Sequence, residues 1–324
     1  MFIEAHADRV LGEGYRVLRC PDCGVDFSEP RVAVGPDWYE KSAPLRAIER
    51  RPPPESDWRF RQFISDSLPP GRLLDVGCGD GGFLRLVRDI GFSPAGFDYE
   101  KRMVDLARSR GIADAECAEF GAYCRGRAAE EFDCVTLFDV LEHVPEPAAF
   151  LLEIRRLLKP GGYLAVTLPN ALRPLPWGRE EHDYPPCHFT RWTPVAMKTF
   201  LERHGFDVVR QDASSLSLVH LADHFYYLAL MPRILRLARR LIFGRVSTQA
   251  TLSELYATSP SNGRQSPHGW RGLLAEKAAR QRLTDAFKTL CAPVSYCVAI
   301  ALSFYYHAQR RDCGNVLYTL ARRR

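Results

Sequence analysis

The 324-residue chain carries 44 Lys and Arg against 39 Asp and Glu, a formal net charge of +5, with 46% hydrophobic and 26% charged residues. That is ordinary for a globular protein, and so mild a basic surplus makes no case for a nucleic-acid partner. Ten cysteines, with no apolar signal segment ahead of them, fit a reducing, cytoplasmic setting better than a disulfide scaffold.

Residues 1–50 contain Cys20-Pro21-Asp22-Cys23-Gly24, one knuckle of a zinc ribbon. Zinc normally takes four ligands, and the only other candidate upstream is His6. A reduced hairpin corner is therefore expected, with zinc on Cys20 and Cys23 as the alternative. Arg51-Pro52-Pro53-Pro54 reads as a stiff linker, followed by a helix from Trp58 to Leu68 that Pro69-Pro70-Gly71 ends.

From residue 72 strand and helix alternate, the mark of a parallel sheet with helices on both faces. Leu73 to Leu84 reads as a buried strand, a glycine turn and the start of a helix, with Gly77, Gly79 and Gly82 spaced as G-x-G-x-x-G. Asp75 stands two residues before the first glycine. A carboxylate there would repel a pyrophosphate and attract a ligand carrying an ammonium and a sulfonium. The second strand, Ser93 to Phe97, ends at Asp98, 23 positions after Asp75, close to the spacing that places an acid on ribose hydroxyls. The third strand is expected over Ile112 to Cys117 and the fourth over Phe132 to Phe138. A helix from Ala148 to Leu158 stops at Lys159-Pro160-Gly161-Gly162, ahead of a fifth strand from Tyr163 to Leu168. Phe206 to Asp212 reads as the sixth strand.

The runs Asp75-Val76-Gly77-Cys78-Gly79, Asp139 to Pro147 and Leu158 to Leu164 closely resemble motifs of the class I S-adenosylmethionine (SAM) methyltransferases. The resemblance covers about residues 58–212. It implies an α/β, doubly wound, Rossmann-like seven-stranded sheet with SAM as cofactor. Asp75, Gly77 and Gly79 would hold the methionine end of SAM and Asp98 its ribose. Glu119 would lie beside the adenine, Phe138 would pack on the cofactor, and Arg59 or Arg61 would reach the SAM carboxylate. Asp139, Glu142 and His143 also resemble the metal-binding acid-acid-His set of quinone-ring O-methyltransferases, which would suit magnesium; otherwise Glu142 and His143 anchor the loop without metal. The N-terminal knuckle resembles the ribbon ahead of some bacterial methyltransferases that act on sugars, with its first cysteine pair missing.

The long loop 171–192 contains His182, Tyr184 and His188, ahead of a helix with Thr193 as N-cap and Pro194 in its first turn. An imidazole near the acceptor suits removal of a hydroxyl proton, so His188 and His143 are the candidate catalytic residues, with His182 and Tyr184 behind them; a loop-ordering role is the alternative for His188.

Members of the family turn from the sixth strand directly into an antiparallel seventh. Here the candidate, Asn315 to Ala321, follows a helical insertion over 215–312. The expected organisation is thus 1–50, a ribbon-like segment; 51–214, the SAM-binding core; 215–312, the insertion; and 313–324, the last strand and a basic tail. Within 216–243, Arg233, Arg236, Arg239 and Arg240 oppose Ile234, Leu237, Ala238 and Leu241, a basic amphipathic pattern. Residues 289–309 carry no Asp, Glu, Lys or Arg. A single crossing there would strand the last strand outside, so these segments are expected to lie on a membrane surface or to close over the site as a lid.

The expected activity is methyl transfer from SAM to a small-molecule, sugar, glycan or lipid-like acceptor, with no nucleic acid involved. The alternatives are a dinucleotide-binding oxidoreductase, which Asp75 disfavours, and a non-catalytic SAM-binding scaffold. The sequence is silent on oligomeric state.

Overall fold

The computed structural model describes residues 2–7, 14–31, 53–173, 183–185, 187–216, 218–226, 289, 291–305 and 314–324. Its contacts divide the chain into two compact units, one of residues 1–173, 180–216 and 312–324, the other of 174–179 and 217–311.

The first unit is built on a seven-stranded sheet of β4 (Arg72–Val76), β5 (Ser93–Asp98), β6 (Ala115–Cys117), β7 (Phe132–Phe138), β8 (Leu158–Pro169), β10 (Phe206–Ala213) and β11 (Val316–Arg323). The spatial order is β10-β11-β8-β7-β4-β5-β6. β4 pairs in parallel with β5 on one side and β7 on the other, and the next pairs outward, β5–β6 and β7–β8, are also parallel. The connections therefore change direction at β4, which opens a crevice at the carboxyl ends of β4, β5 and β7. β11 inserts antiparallel between β8 and β10, as the sequence anticipates for a last strand that follows an insertion.

The strands read as near-continuous apolar runs because helices cover both faces. Leu73, Leu74, Val135, Leu137 and Leu164 are fully buried. Around them pack α1 (Trp58–Ser65), α2 (Gly82–Asp89), α3 (Lys101–Ser109), α4 (Phe120–Arg125), α5 (Pro147–Leu157) and α6 (Pro194–Arg203). The sequence places the start of the third strand too early. Ile112 N–H bonds back to Ala107 O, and Gly111, at φ +87°, closes the end of α3, so Ile112 caps a helix and the strand starts only at Ala115. The fifth strand starts earlier than expected: Leu158 pairs with Phe132, and Lys159 to Gly162 bulge out before Tyr163 pairs with Cys134.

A second, four-stranded sheet lies in the same unit, in the order β1 (Phe2–Ala7), β2 (Gly14–Arg19), β3 (Asp26–Glu29), β9 (Thr190–Arg191). Its last strand comes from the long loop, which the sequence pattern does not mark as a strand. Ser28 N–H also bonds to Phe189 O at 2.8 Å. Trp192, fully buried, donates to Thr190 Oγ1 at 2.8 Å and anchors the loop where it re-enters the core.

In the second unit the structure describes α7 (Leu218–Phe225) and a helix over 291–305. Among the described residues no helix is long and apolar enough to cross a membrane. The basic amphipathic stretch around Arg233–Leu241 lies outside the described residues, as does His182.

Candidate functional site

A cavity of about 980 Å³ opens at the carboxyl ends of β4, β5 and β7, within the usual size for a small-molecule site. Asp75, Gly77, Gly79, Asp98, Glu119, Phe138, Asp139 and His143 all line it. Residues from the ends of three different strands thus meet at adjoining strand tips. Arg61 does not line the cavity and is exposed; Arg59 does.

The turn after β4 depends on glycine. Gly77, Gly79 and Gly81 sit at φ +72°, +52° and +73°, the left-handed region that side chains resist. The amides of Gly77 and Cys78 both donate to Phe97 O, which ties the turn to β5. Where a side chain on Gly79 would project, no atom lies within 4 Å, so the backbone there faces open space.

Asp75 is 4% exposed and accepts a hydrogen bond from Thr136 Oγ1 at 2.6 Å. Burial pushes its carboxyl up to about 7; Asp98 adds to the rise, while Thr136 and Arg59 oppose it. Asp98 accepts from Gly79 N–H at 3.0 Å through one oxygen and from Glu100 N–H at 2.9 Å through the other. Asp98 thus ties the glycine turn to the segment leading into α3 and also lines the cavity.

Arg59 is clamped by two acids. It pairs with Asp57, the N-cap of α1, at 2.6 Å and with Asp139 across the cavity. Asp139 sits at φ +56°, an uncommon conformation for a residue with a side chain, and also accepts from Thr167 Oγ1 at 3.2 Å. Sequence reasoning missed Asp57 and Thr136; the Asp-Trp-Arg start of α1 was a readable cap signal for the first. Aromatic rings form the apolar wall, with Phe60, Phe83 and Phe138 in mutual contact at centroid distances of 4.7–5.4 Å.

The expected acid-acid-His set does not assemble as written. Asp139 is engaged by Arg59, and the group the structure brings together is Glu142, His143 and His188, with ligand atoms within 4.8 Å of one another. Glu142 is 1% exposed, and neither carboxylate oxygen has a hydrogen-bond partner among the described residues. Burial, with Asp139 next, pushes its carboxyl well above the usual range. Burial and then His188 push His143 down to about 4. His143 Nδ1 lies 2.8 Å from Cys187 O; a carbonyl only accepts, so Nδ1 carries the proton and Nε2 is left as an acceptor.

His188 does not line the cavity. It stands beside His143, ring centroids 4.7 Å apart, with Nδ1 3.4 Å from Asp183. Asp183 is gripped by Arg173 through both oxygens at 2.6 and 2.7 Å. Nothing local in the sequence joins Arg173, Asp183 and His188; the loop's fold does. Tyr184 packs under the Arg191 guanidinium, 4.7 Å from its ring centroid, away from the cavity lining. Cys20 and Cys23 lie apart from this site, in the turn between β2 and β3.

A family model described as a methyltransferase domain matches residues 49–211. The ubiquinone biosynthesis O-methyltransferase of Xanthomonas oryzae pv. oryzae is 30% identical over 143 residues, covering 43% of this chain and 59% of that protein. The protein of the same name from Bordetella avium is 29% identical over 150 residues, covering 44% of this chain and 61% of the relative. The chain thus spans about six-tenths of the length of these curated relatives. Among solved structures, a SAM dependent methyltransferase from Archaeoglobus fulgidus superposes with a TM-score of 0.51 at 15% identity, over 86% of this chain and 98% of that one, a likeness of fold.

Proposed function

Because this chain belongs to the methyltransferase-domain family and is a SAM-dependent enzyme, we propose that it moves the methyl group of SAM to a hydroxyl on a quinone-like aromatic ring. The observation that carries the choice of acceptor is the Glu142–His143–His188 cluster, which reaches the cavity through His143. The names of the 29–30% identical relatives support the same class. Family membership removes the dinucleotide-binding oxidoreductase alternative and speaks against the non-catalytic scaffold, which turnover with an acceptor tests.

The residues fit SAM. A buried carboxylate whose proton is held up to about 7 is a carboxylate short of a cation, and Asp75 would take the ammonium end. Asp98 would take the ribose diol through its carboxylate, Arg59 would take the SAM carboxylate, Glu119 would lie by the adenine, and Phe138 would pack against the cofactor. When bound, SAM supplies a methyl already made electrophilic by its sulfonium. The protein's part is then proximity and alignment, worth roughly 7–11 kcal/mol in well-oriented systems. The wall of Phe60, Phe83 and Phe138 excludes water, and His143 Nε2 takes the hydroxyl proton. His188 supports the His143 ring from behind.

A second reading of the cluster rests on the unpartnered Glu142. Glu142, His143 and His188 suit a divalent cation, which would polarise the acceptor hydroxyl. Loss of turnover on chelation, restored by magnesium, would favour it over His143 as base.

The helix over 291–305 supports a lipid-soluble acceptor. Val294, Tyr296, Ile300, Phe304 and Tyr305 are 41–73% exposed on a segment without charge. An apolar face of this kind suits the surface of a bilayer.

The test uses labelled SAM with hydroxylated quinols bearing an isoprenoid tail, and with sugar nucleotides in parallel. Label on a ring oxygen is the expected outcome. Transfer to sugars alone would overturn the acceptor class.

A further inference from the structure

Arg173 and Asp183 do not line the cavity, yet they form a charged pair set deep in the long loop. Each side chain is 9% exposed, and one Arg173 nitrogen holds both carboxylate oxygens, at 2.6 and 2.7 Å. A buried ion pair adds little stability over apolar packing, because desolvating two charges offsets their attraction. What this pair touches points to a different use. Asp183 Oδ1 also lies 3.4 Å from Nδ1 of His188, whose side chain is 13% exposed.

The local backbone explains how these groups meet. Arg173 leaves β8 through a turn closed by Asn170: its Oδ1 accepts from Leu172 N–H at 3.0 Å, and its backbone oxygen accepts from Arg173 N–H at 3.1 Å and from Arg173 Nη1 at 3.0 Å. Ala171 N–H bonds to Trp192 O at 2.9 Å and draws the two ends of the loop together. On the other side, the amides of Cys187 and His188 both donate to Tyr184 O, at 3.0 and 3.2 Å. The chain folds back in one tight turn and lays His188 beside Asp183. Phe189 donates its N–H to Glu142 O and accepts from Ser28 N–H, both at 2.8 Å, and Arg191 Nη1 donates to Asp183 O at 3.1 Å. The turn is thus fastened to the segment carrying Glu142 and to β3, and Arg173 fixes the carboxylate that the turn carries.

Both imidazoles take their orientation from this turn. Cys187 O holds His143 Nδ1 at 2.8 Å, and Asp183 faces His188 Nδ1. The rings meet edge to face at 74°, with centroids 4.7 Å apart. A carboxylate only accepts, so His188 carries a proton on Nδ1 and turns Nε2 away from Asp183. A histidine ring rotated by half a turn keeps its outline but exchanges nitrogen for carbon. In a buried setting a fixed partner selects one of the two states.

We propose that Asp183, held by Arg173, is a positioning residue for methyl transfer: it fixes the ring and tautomer of His188 and, through that ring, the imidazole of His143. This rests on the reading of His143 as acting on the acceptor, and adds to it two residues outside the cavity lining.

Steady-state methyl transfer is measured with whichever acceptor takes label from the unaltered protein. Asp183→Asn should lower kcat roughly 10–100-fold, the range for partners that orient a functional histidine, with acceptor KM and SAM affinity little changed. Arg173→Gln should act in the same direction. Arg173→Lys should retain more activity, because a single Arg173 nitrogen serves both oxygens and an ammonium can stand in for it. In a His188→Asn background, Asp183→Asn should cost nothing further, since its effect passes through that ring. In the unaltered protein, NMR of isotopically labelled histidine nitrogens should show His188 protonated at Nδ1, and this measurement decides alone should the variants fail to fold. An unchanged kcat in Asp183→Asn, an equal loss with and without His188, a fall in SAM affinity matching that in kcat, or a His188 proton on Nε2 in place of Nδ1 would each overturn the proposal. Because the assay follows whichever acceptor is labelled, an error in the acceptor class shows as a different product, not as a missing effect of Asp183.

Discussion

Asp75 offers the sharpest test of the cofactor assignment. Burial outweighs the hydrogen bond from Thr136 and pushes its carboxyl up to about 7. A cationic ligand binds only the ionised form well, so SAM binding must first expel the proton, and affinity rises with pH. With the transition near 7, about 3% of the empty protein is ionised at pH 5.5 and about half at pH 7. The dissociation constant should therefore fall roughly 15-fold over that interval, which stops below the ~7.7 at which an α-amino group such as SAM's is half deprotonated. Titration calorimetry in buffers of different ionisation enthalpy should also show a proton released on binding at pH 6. The groups facing Asp75 are Asp98, Arg59, Thr136 and Cys78, and burial pushes the Cys78 thiol further above this window. Asp75→Asn keeps the shape and removes the charge: its SAM affinity should be weaker at pH 7 and nearly flat with pH. A wild-type affinity constant across pH 5.5–7, or an identical pH profile in the variant, would refute the reasoning.

The same carboxyl couples to folding: a group raised from 3.8 to about 7 stabilises the empty protein fully below pH 4 and loses that contribution as pH rises through 7, by roughly 4 kcal/mol at most. Denaturant melts at pH 5 and pH 8 should show the loss in wild type and not in Asp75→Asn. His143→Asn should lower kcat roughly 10²–10⁴-fold with SAM affinity retained if its Nε2 takes the acceptor proton as proposed; equal losses in kcat and SAM affinity would place it in cofactor binding instead. Trp192→Ala should cost roughly 3–5 kcal/mol of stability, measured by denaturant unfolding, because a fully buried ring anchors the loop that carries β9. Phe304→Asp and Ile300→Asp should abolish flotation of the intact chain with anionic vesicles; wild type that fails to float sinks the membrane contact itself.

The strands, the glycine turn after Asp75 and the acid at Asp98 are legible in the sequence because each is local. Apolar runs, turn glycines and a 23-residue spacing state their geometry without reference to the rest of the chain. The position of β11 is legible too, once the helical insertion is recognised and a strand pattern reappears at its end.

What the tertiary structure alone decided is the company each side chain keeps. Asp139, Glu142 and His143 lie within five residues of one another, yet β7 turns Asp139 toward Arg59, and the loop brings His188 in its place beside Glu142. Whether a carboxylate is ionised, paired or alone depends on burial and on partners tens of residues away, and no sequence spacing encodes that. The pairing of β3 with β9 spans more than 160 residues and rests on a two-residue strand, too short to leave a pattern. Local chemistry specified which strands and turns form; packing specified which charges face one another.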